Sequence, residues 1–223
     1  MVMFQRARSE QQRELRRRAI LDAAAAMLAE MPVAEVTLNE LSRRVGLAKS
    51  NVLRYFESRE AVLLELLDSA AQEWLAQLEQ DLAGTVRPGV PAADRADQLA
   101  AVIAASLAAR PVLCDLAGAQ SAVLERNVSA QVAAEYKRAT MANVGTLSRL
   151  VLDCLPELGA DGAGQFAGAT VLAAGALWPA TQPSAAMLAA YDADPALAAL
   201  RLDFGTTLRE LLAILAAGVL ARA

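Results

Sequence analysis

Apolar residues along this chain recur every three or four positions and nowhere settle into alternation, so the pattern predicts helices and no strands. The first helix runs from Ser9 to Met31, with Ala19, Ile20, Ala23, Ala24, Met27 and Leu28 on one face. Met31-Pro32 ends it, because the residue before a proline is pushed out of the helical region. Thr37-Leu38-Asn39-Glu40 reads as a capping box: the threonine oxygen accepts an N–H of the first turn, and Glu40 reaches back to the cap N–H. Val36 and Leu41 occupy the positions of a hydrophobic staple, and Leu38, Leu41 and Val45 supply the inner face. Gly46 stops this helix, since glycine best tolerates a left-handed backbone. Lys49 to Phe56 forms the next one, with Val52, Leu53 and Phe56 inward. Ser58 is placed to cap a third, starting at Arg59 and running towards Leu82.

Gly84 to Pro91 is the clearest loop. Helices are expected beyond it at about 93–109 and 111–125, the latter with Pro111 at its first position. A long helix capped by Asn127 should reach about Cys154. A second loop spans Leu155 to Gly164, and the last helices cover about 165–178 and 196–221. The fold class is therefore all-α: a three-helix N-terminal domain, residues 1–66, followed by a larger helical domain, residues 67–223.

Composition agrees. Hydrophobic residues make up 56% of the 223 and aromatics only 4%, so Ala, Leu and Val must build the core, and Ala and Leu are strong helix formers. Histidine is absent, which removes the commonest general base and metal ligand; no metal or cofactor is expected. Cys114 and Cys154 lack C-x-x-C spacing and read as reduced thiols of a cytoplasmic protein. The opening MVMFQRARSEQQRELRRR is charged throughout, unlike a signal peptide. The longest apolar run, Phe166 to Ala180, is 15 residues, short of the roughly 18 of a membrane span, so no membrane partner is expected.

Charge changes the picture further. The net charge is −4, yet residues 1–66 hold 11 Lys and Arg against nine Asp and Glu, while residues 67–223 hold ten against 16. Phe4 to Arg18 carries six Arg against two Glu, and Thr37 to Phe56 four basic residues against one Glu. A basic front on an acidic body suggests two jobs in one chain.

Two short helices meeting at a glycine form a helix-turn-helix, whose second helix enters the DNA major groove with its N-terminal residues facing base edges. Here those residues are Lys49, Ser50 and Asn51. Lysine donates to guanine O6 and N7, asparagine pairs with adenine N6 and N7, and serine serves either. Arg54 and Tyr55, one turn on, are placed for the phosphate backbone or the groove edge. Thr37, Arg43 or Arg44, and Arg59 are placed for flanking phosphates.

Residues 16–67 carry a longer pattern. It comprises an Ile-Leu-x-Ala-Ala helix, a Val-Thr-x-x-x-Leu-Ser entry, Val-Gly-Leu in the turn, a Tyr-Phe end to the recognition helix, and Ser-Arg-Glu opening the next. In this order it resembles the TetR family of transcriptional regulators. Two positions depart from the family's habit: Ala48 stands where Ser or Thr commonly caps the recognition helix, so Ser50 or water must serve, and Leu53 stands where an aromatic is common. The resemblance implies an all-helical effector-binding and dimerisation domain behind the DNA-binding one. It also implies a cavity between the third and final helices, for which Trp74, Leu78, Cys114, Gln120, Tyr136, Thr140 and Trp178 are candidate lining residues. The stretch 125–138, ERNVSAQVAAEYKR, is similar to one C-terminal subclass.

Residues 162–191 contain no charged side chain, and after Glu210 none appears until Arg222. Helices apolar all round must be buried on more than one face. The expected solution is a homodimer joined by a four-helix interface through Phe166, Leu172, Leu177, Leu208, Leu211, Leu212, Leu215 and Val219. The function that unites these readings is a ligand-responsive repressor with three partners: a near-palindromic double-stranded operator, a small-molecule effector and a second copy of itself. An all-helical enzyme seeded at Cys114-Asp115 or at Asp192 and Asp194 is the alternative from another class. It lacks histidine, a phosphate loop and an activated nucleophile. A third reading gives the basic helices a protein partner.

Overall fold

The computed structural model describes residues 2–87 and 89–222, with side chains from Gln11 onward. Pro88, in the first expected loop, and the side chains of Arg6 and Arg8, in the basic front end, lie outside the described residues. Eleven α-helices and no strand occur among the described residues: α1 Val2–Leu28, α2 Leu38–Val45, α3 Lys49–Val52, α4 Arg59–Thr85, α5 Ala92–Ala108, α6 Pro111–Ala119, α7 Ala130–Cys154, α8 Gly159–Ala180, α9 Ala185–Ala193, α10 Pro195–Ala198 and α11 Phe204–Leu220. The all-α class expected from the pattern is what the chain adopts.

The chain divides into two compact units, Met1–Ser69 with Ala119–Lys137, and Ala70–Gly118 with Arg138–Ala223. The boundary expected at 66/67 lies inside the continuous helix α4.

In the first unit, Ile20, Ala24 and Met27 of α1 are wholly buried with Val36, Leu41, Val52, Val62 and Leu63. Burying each of these larger aliphatic side chains contributes about 1.5–3 kcal/mol. Leu124 and Tyr136, from the second stretch of this unit, are buried too.

In the second unit, α11 lies along α5 and α8. Phe204, Leu208, Leu212 and Ala216 of α11 repeat every four residues and are buried, as are Leu99 and Ile103 of α5 and Phe166 and Thr170 of α8. The Thr170 hydroxyl donates to the Phe166 carbonyl at 2.8 Å, so its burial leaves no polar group unmatched. Helices α6 and α8 approach closely, because a Cβ on Gly175 would come within 3.1 Å of the Ala117 carbonyl oxygen.

Several expected helix boundaries move. α1 ends at Leu28, short of Met31. α6 stops at Ala119 and gives way to a turn. Ser129 rather than Asn127 caps α7, its hydroxyl accepting from the Val132 N–H at 3.3 Å. α8 starts at Gly159, inside the expected loop. The span 196–221 splits into α10 and α11, where Asp203 caps α11 by accepting the Thr206 N–H at 2.8 Å. α9 was not expected: none of its residues is buried, so it has no apolar stripe for periodicity to reveal.

Candidate nucleic-acid interface

Local chemistry builds this site. The Thr37 hydroxyl caps α2, accepting the Glu40 N–H at 3.2 Å. At the other end Gly46 sits at φ 69°, ψ 29°. Its N–H meets the Arg43 carbonyl at 3.2 Å, and the Leu47 N–H reaches the Ser42 carbonyl at 3.0 Å. This is a Schellman ending, which needs a left-handed residue. A Cβ at Gly46 would meet nothing within 4 Å, so alanine there would lose about 1–2 kcal/mol through backbone strain alone.

The recognition segment starts at Ala48, whose side chain makes no cap. Regular helix ends at Val52, earlier than the expected Phe56. Beyond it the backbone bonds mix spacings: Arg54 N–H to Asn51 at 3.3 Å, Tyr55 N–H to Val52 at 2.9 Å, Phe56 N–H to Val52 at 3.1 Å. Val52 and Phe56 are buried and hold the segment down. Leu53, expected inward, is 40% exposed. Lys49, Ser50, Asn51 and Arg54 are exposed, and among the described residues their side chains have no hydrogen-bond or ion-pair partner.

The remaining basic residues divide by their partners. Arg44 lies between Glu30 at 2.6 Å and Glu40 at 3.2 Å and is only 24% exposed. Arg43 pairs with Glu40 at 2.6 Å but stays 73% exposed. Hydrogen bonds from Arg43 and then Arg44 pull the Glu40 carboxyl down to about 2. The second half of the capping box is therefore corrected: Glu40 turns to two guanidiniums instead of the cap N–H, because charge-assisted bonds outcompete a neutral amide. Arg59, expected at flanking phosphate, has internal partners. Its guanidinium donates to the Val36 carbonyl at 2.7 Å and pairs with Glu60 at 3.0 Å, so it is a strut that fastens the start of α4 to the entry of α2.

Sequence reasoning missed Arg17. It donates to the Tyr55 carbonyl at 2.8 Å, pairs with Glu65, and stacks its guanidinium 4.3 Å from the Phe56 ring centre. It lashes α1 and α4 to the end of the recognition segment. The available signal was its position three residues before Ile20, on the buried face of α1.

The candidate effector residues are all engaged or packed. In the second unit the Trp74 indole N–H donates to the Ser106 hydroxyl at 2.9 Å, Leu78 is wholly buried, and Trp178 meets Phe204 edge to face at 5.1 Å. The Cys114 thiol donates to the Leu107 carbonyl at 3.3 Å, and burial pushes it up to about 12. Thr140 is half-buried. In the first unit the Gln120 amide donates to Glu125 at 2.7 Å, and Tyr136 is buried.

The expected dimer residues also separate. Phe166, Leu208 and Leu212 are buried in their own subunit, so they are corrected from interface to core. Val219 packs inward against Gly162, where a Cβ would come within 2.7 Å of it. Leu172 is 75% exposed, and Leu177, Leu211 and Leu215 are half-exposed. Ile214, not foreseen, is 69% exposed on the outer stripe of α11.

Residues 20–66 match the family described as bacterial regulatory proteins, tetR family, and residues 68–223 match the tetracyclin repressor-like C-terminal domain. No curated protein is found to match the sequence. Among solved structures, a TetR transcriptional regulator from Rhodococcus sp. RHA1 superposes with a TM-score of 0.55 at 15% identity, covering 96% of this chain and 97% of that one. The fatty acid degradation regulator FadR of Bacillus halodurans gives 0.54 at 14% identity, covering 89% and 93%. FadR of Bacillus subtilis, solved with stearoyl-CoA, gives 0.50 at 16%, covering 87% and 96%. With both matched regions and the helix-turn-helix geometry in agreement, this chain belongs to the TetR family of DNA-binding transcriptional regulators.

Proposed function

We propose that the protein is a homodimeric repressor that binds a near-palindromic operator and leaves it when a small molecule binds residues 67–223. The observation that carries the DNA half of this reading is the unpartnered row Lys49, Ser50 and Asn51, exposed at the start of a segment whose other face is buried. Side chains without internal partners are free to meet base edges. Arg43, the more exposed of its pair, holds flanking phosphate with Thr37, Arg54 and Tyr55.

The dimer half is supported by Leu172 of α8 and Ile214 of α11, large apolar side chains left in solvent. Leu211 and Leu215 lie beside Ile214 on one face of α11 and are half-exposed, as is Leu177 of α8. In a dimer, two recognition segments about 34 Å apart would meet successive major grooves, one helical turn of DNA. The effector site lies in the second unit, among Trp74, Leu78, Cys114, Thr140 and Trp178. Since these side chains are packed, the effector must favour a looser state of the protein, and its differential affinity for that state would drive release. A cytoplasmic location follows from the function.

Selection of bound fragments from genomic DNA tests the reading. The expected product is one inverted-repeat motif, and Asn51→Ala should weaken binding to it by about 1–3 kcal/mol and relax one base position. Equal affinity for all duplexes would overturn it.

A further inference from the structure

Beside the recognition segment runs a groove of about 650 Å³. One wall is Gln12, Arg13 and Arg16 of α1; the other includes Asn51, Arg54 and Tyr55. Three guanidiniums face it, and among the described residues no carboxylate lines it. Arg13, Arg16 and Arg54 are exposed and make no ion pair among the described residues, although Glu14 and Glu57 lie close in sequence. The contrast with Arg17 is sharp: one residue further along the same helix, the guanidinium is fully engaged by Tyr55, Glu65 and Phe56. Cations held at a groove edge without counter-charges repel one another, an arrangement that an incoming anion relieves.

We propose that Gln12–Arg16 of α1 is a second DNA-binding element, and that the groove between it and the recognition segment takes the phosphodiester backbone next to the bases read by Asn51. This rests on the DNA-regulator reading and deepens it: Arg13 and Arg16 are phosphate-holding residues outside the helix-turn-helix. Gln12 and the Tyr55 hydroxyl add neutral hydrogen bonds to the same strand, and guanidiniums suit phosphate because they can donate twice in one plane. These contacts fix register and carry no base information.

The test is the salt dependence of binding to the selected operator and to a random duplex, measured for the full-length wild type, Arg13→Ala/Arg16→Ala, Arg13→Lys/Arg16→Lys and Asn51→Ala. Each phosphate contact contributes about 0.9 to the slope of log K against log salt. The double alanine variant removes two contacts from each subunit of the dimer and should lose about 3.6 from that slope on both duplexes, keep the wild-type base preference, and melt at the wild-type temperature. The double lysine variant should keep the slope, and Asn51→Ala should keep it while losing preference. A double alanine variant that melts normally and keeps the wild-type slope overturns the inference and leaves the regulator reading intact. A double alanine variant that melts early is decided by the lysine pair: if the lysine pair folds but also loses the slope, charge in the groove is not what binds. A wild type that binds no duplex overturns both readings.

Discussion

Two clefts of similar size carry opposite chemistry. The groove at α1 and the recognition segment, about 650 Å³, is lined among the described residues by three arginines and no acid. The cleft in the second unit, about 600 Å³, is lined by Glu79, Asp153, Glu157 and Arg95. There the arginine is not free. Arg95 donates to the carbonyls of Val90 at 3.1 Å and Cys154 at 2.9 Å and pairs with Glu157, holding that carboxyl below its usual range. Arg149, nearby in sequence, is likewise bound to Glu79 at 3.1 Å and Asp153 at 3.2 Å. Arginine does two different jobs in this molecule. Where carboxylates or carbonyls are within reach it joins elements; where none is, its charge is available to a ligand. Net charge per region points the same way but does not identify which residues do which job.

Replacing tied and free arginines should therefore give opposite phenotypes. The largest effect is expected at Arg95. Arg95→Ala would leave two carbonyls and a carboxylate without their donor, a loss of about 3 kcal/mol given about 1–3 for each part-buried group left unsatisfied. Thermal melting should show it directly, while DNA affinity of the folded fraction stays unchanged. A smaller loss is expected for Arg17→Ala, about 2 kcal/mol from two half-exposed charged hydrogen bonds and a stacked ring. This variant should lose both stability and operator affinity, because the Tyr55 end of the recognition segment comes loose. Arg54→Ala should sharpen the contrast: its melting temperature should stay at the wild-type value while binding weakens. A drop in stability matching that of Arg17→Ala would erase the distinction.

The smallest effect is in pH. Glu40 has its carboxyl held near 2 against an ordinary 4.5. A depressed carboxyl stabilises the fold above its unfolded value, so the contribution is complete above about pH 4.5 and is lost as pH falls towards 2. Melting curves of wild type and Glu40→Gln should differ at pH 6 and converge as pH falls through this window. A gap that stayed constant to pH 2.5 would mean that the Arg43 and Arg44 pairs contribute nothing.

The helix-turn-helix was legible because its signals are local. Thr37 lies three residues from the N–H it caps, and Gly46 needs only its own backbone angle. Ser58 capping α4 through the Ala61 N–H at 3.1 Å is the same kind of feature, and it too was visible. Glu40 was misread because two equally local partners competed for it, and charge decided between them. The helices of the second unit were placed less well at their ends. Their sequences are rich in Ala and Gly, so neither periodicity nor breakers mark where Gly159 opens α8 or where α9 stands apart.

What the sequence by itself determined is the class of fold, the turn at Gly46, and the row of Lys49, Ser50 and Asn51 presented at the start of the recognition segment. Only the tertiary structure decided which arginines brace the fold and which are left exposed. The partners that settle it lie far along the chain: Arg44 with Glu30, Arg17 with Tyr55 and Glu65, Arg59 with Val36. In the same way it sorted the apolar residues of α8 and α11, sending Phe166, Leu208 and Leu212 inward and leaving Leu172 and Ile214 outside. An uncharged helix has no polar stripe to say which side faces its own core, and the packing of α5 against α11 supplies that choice.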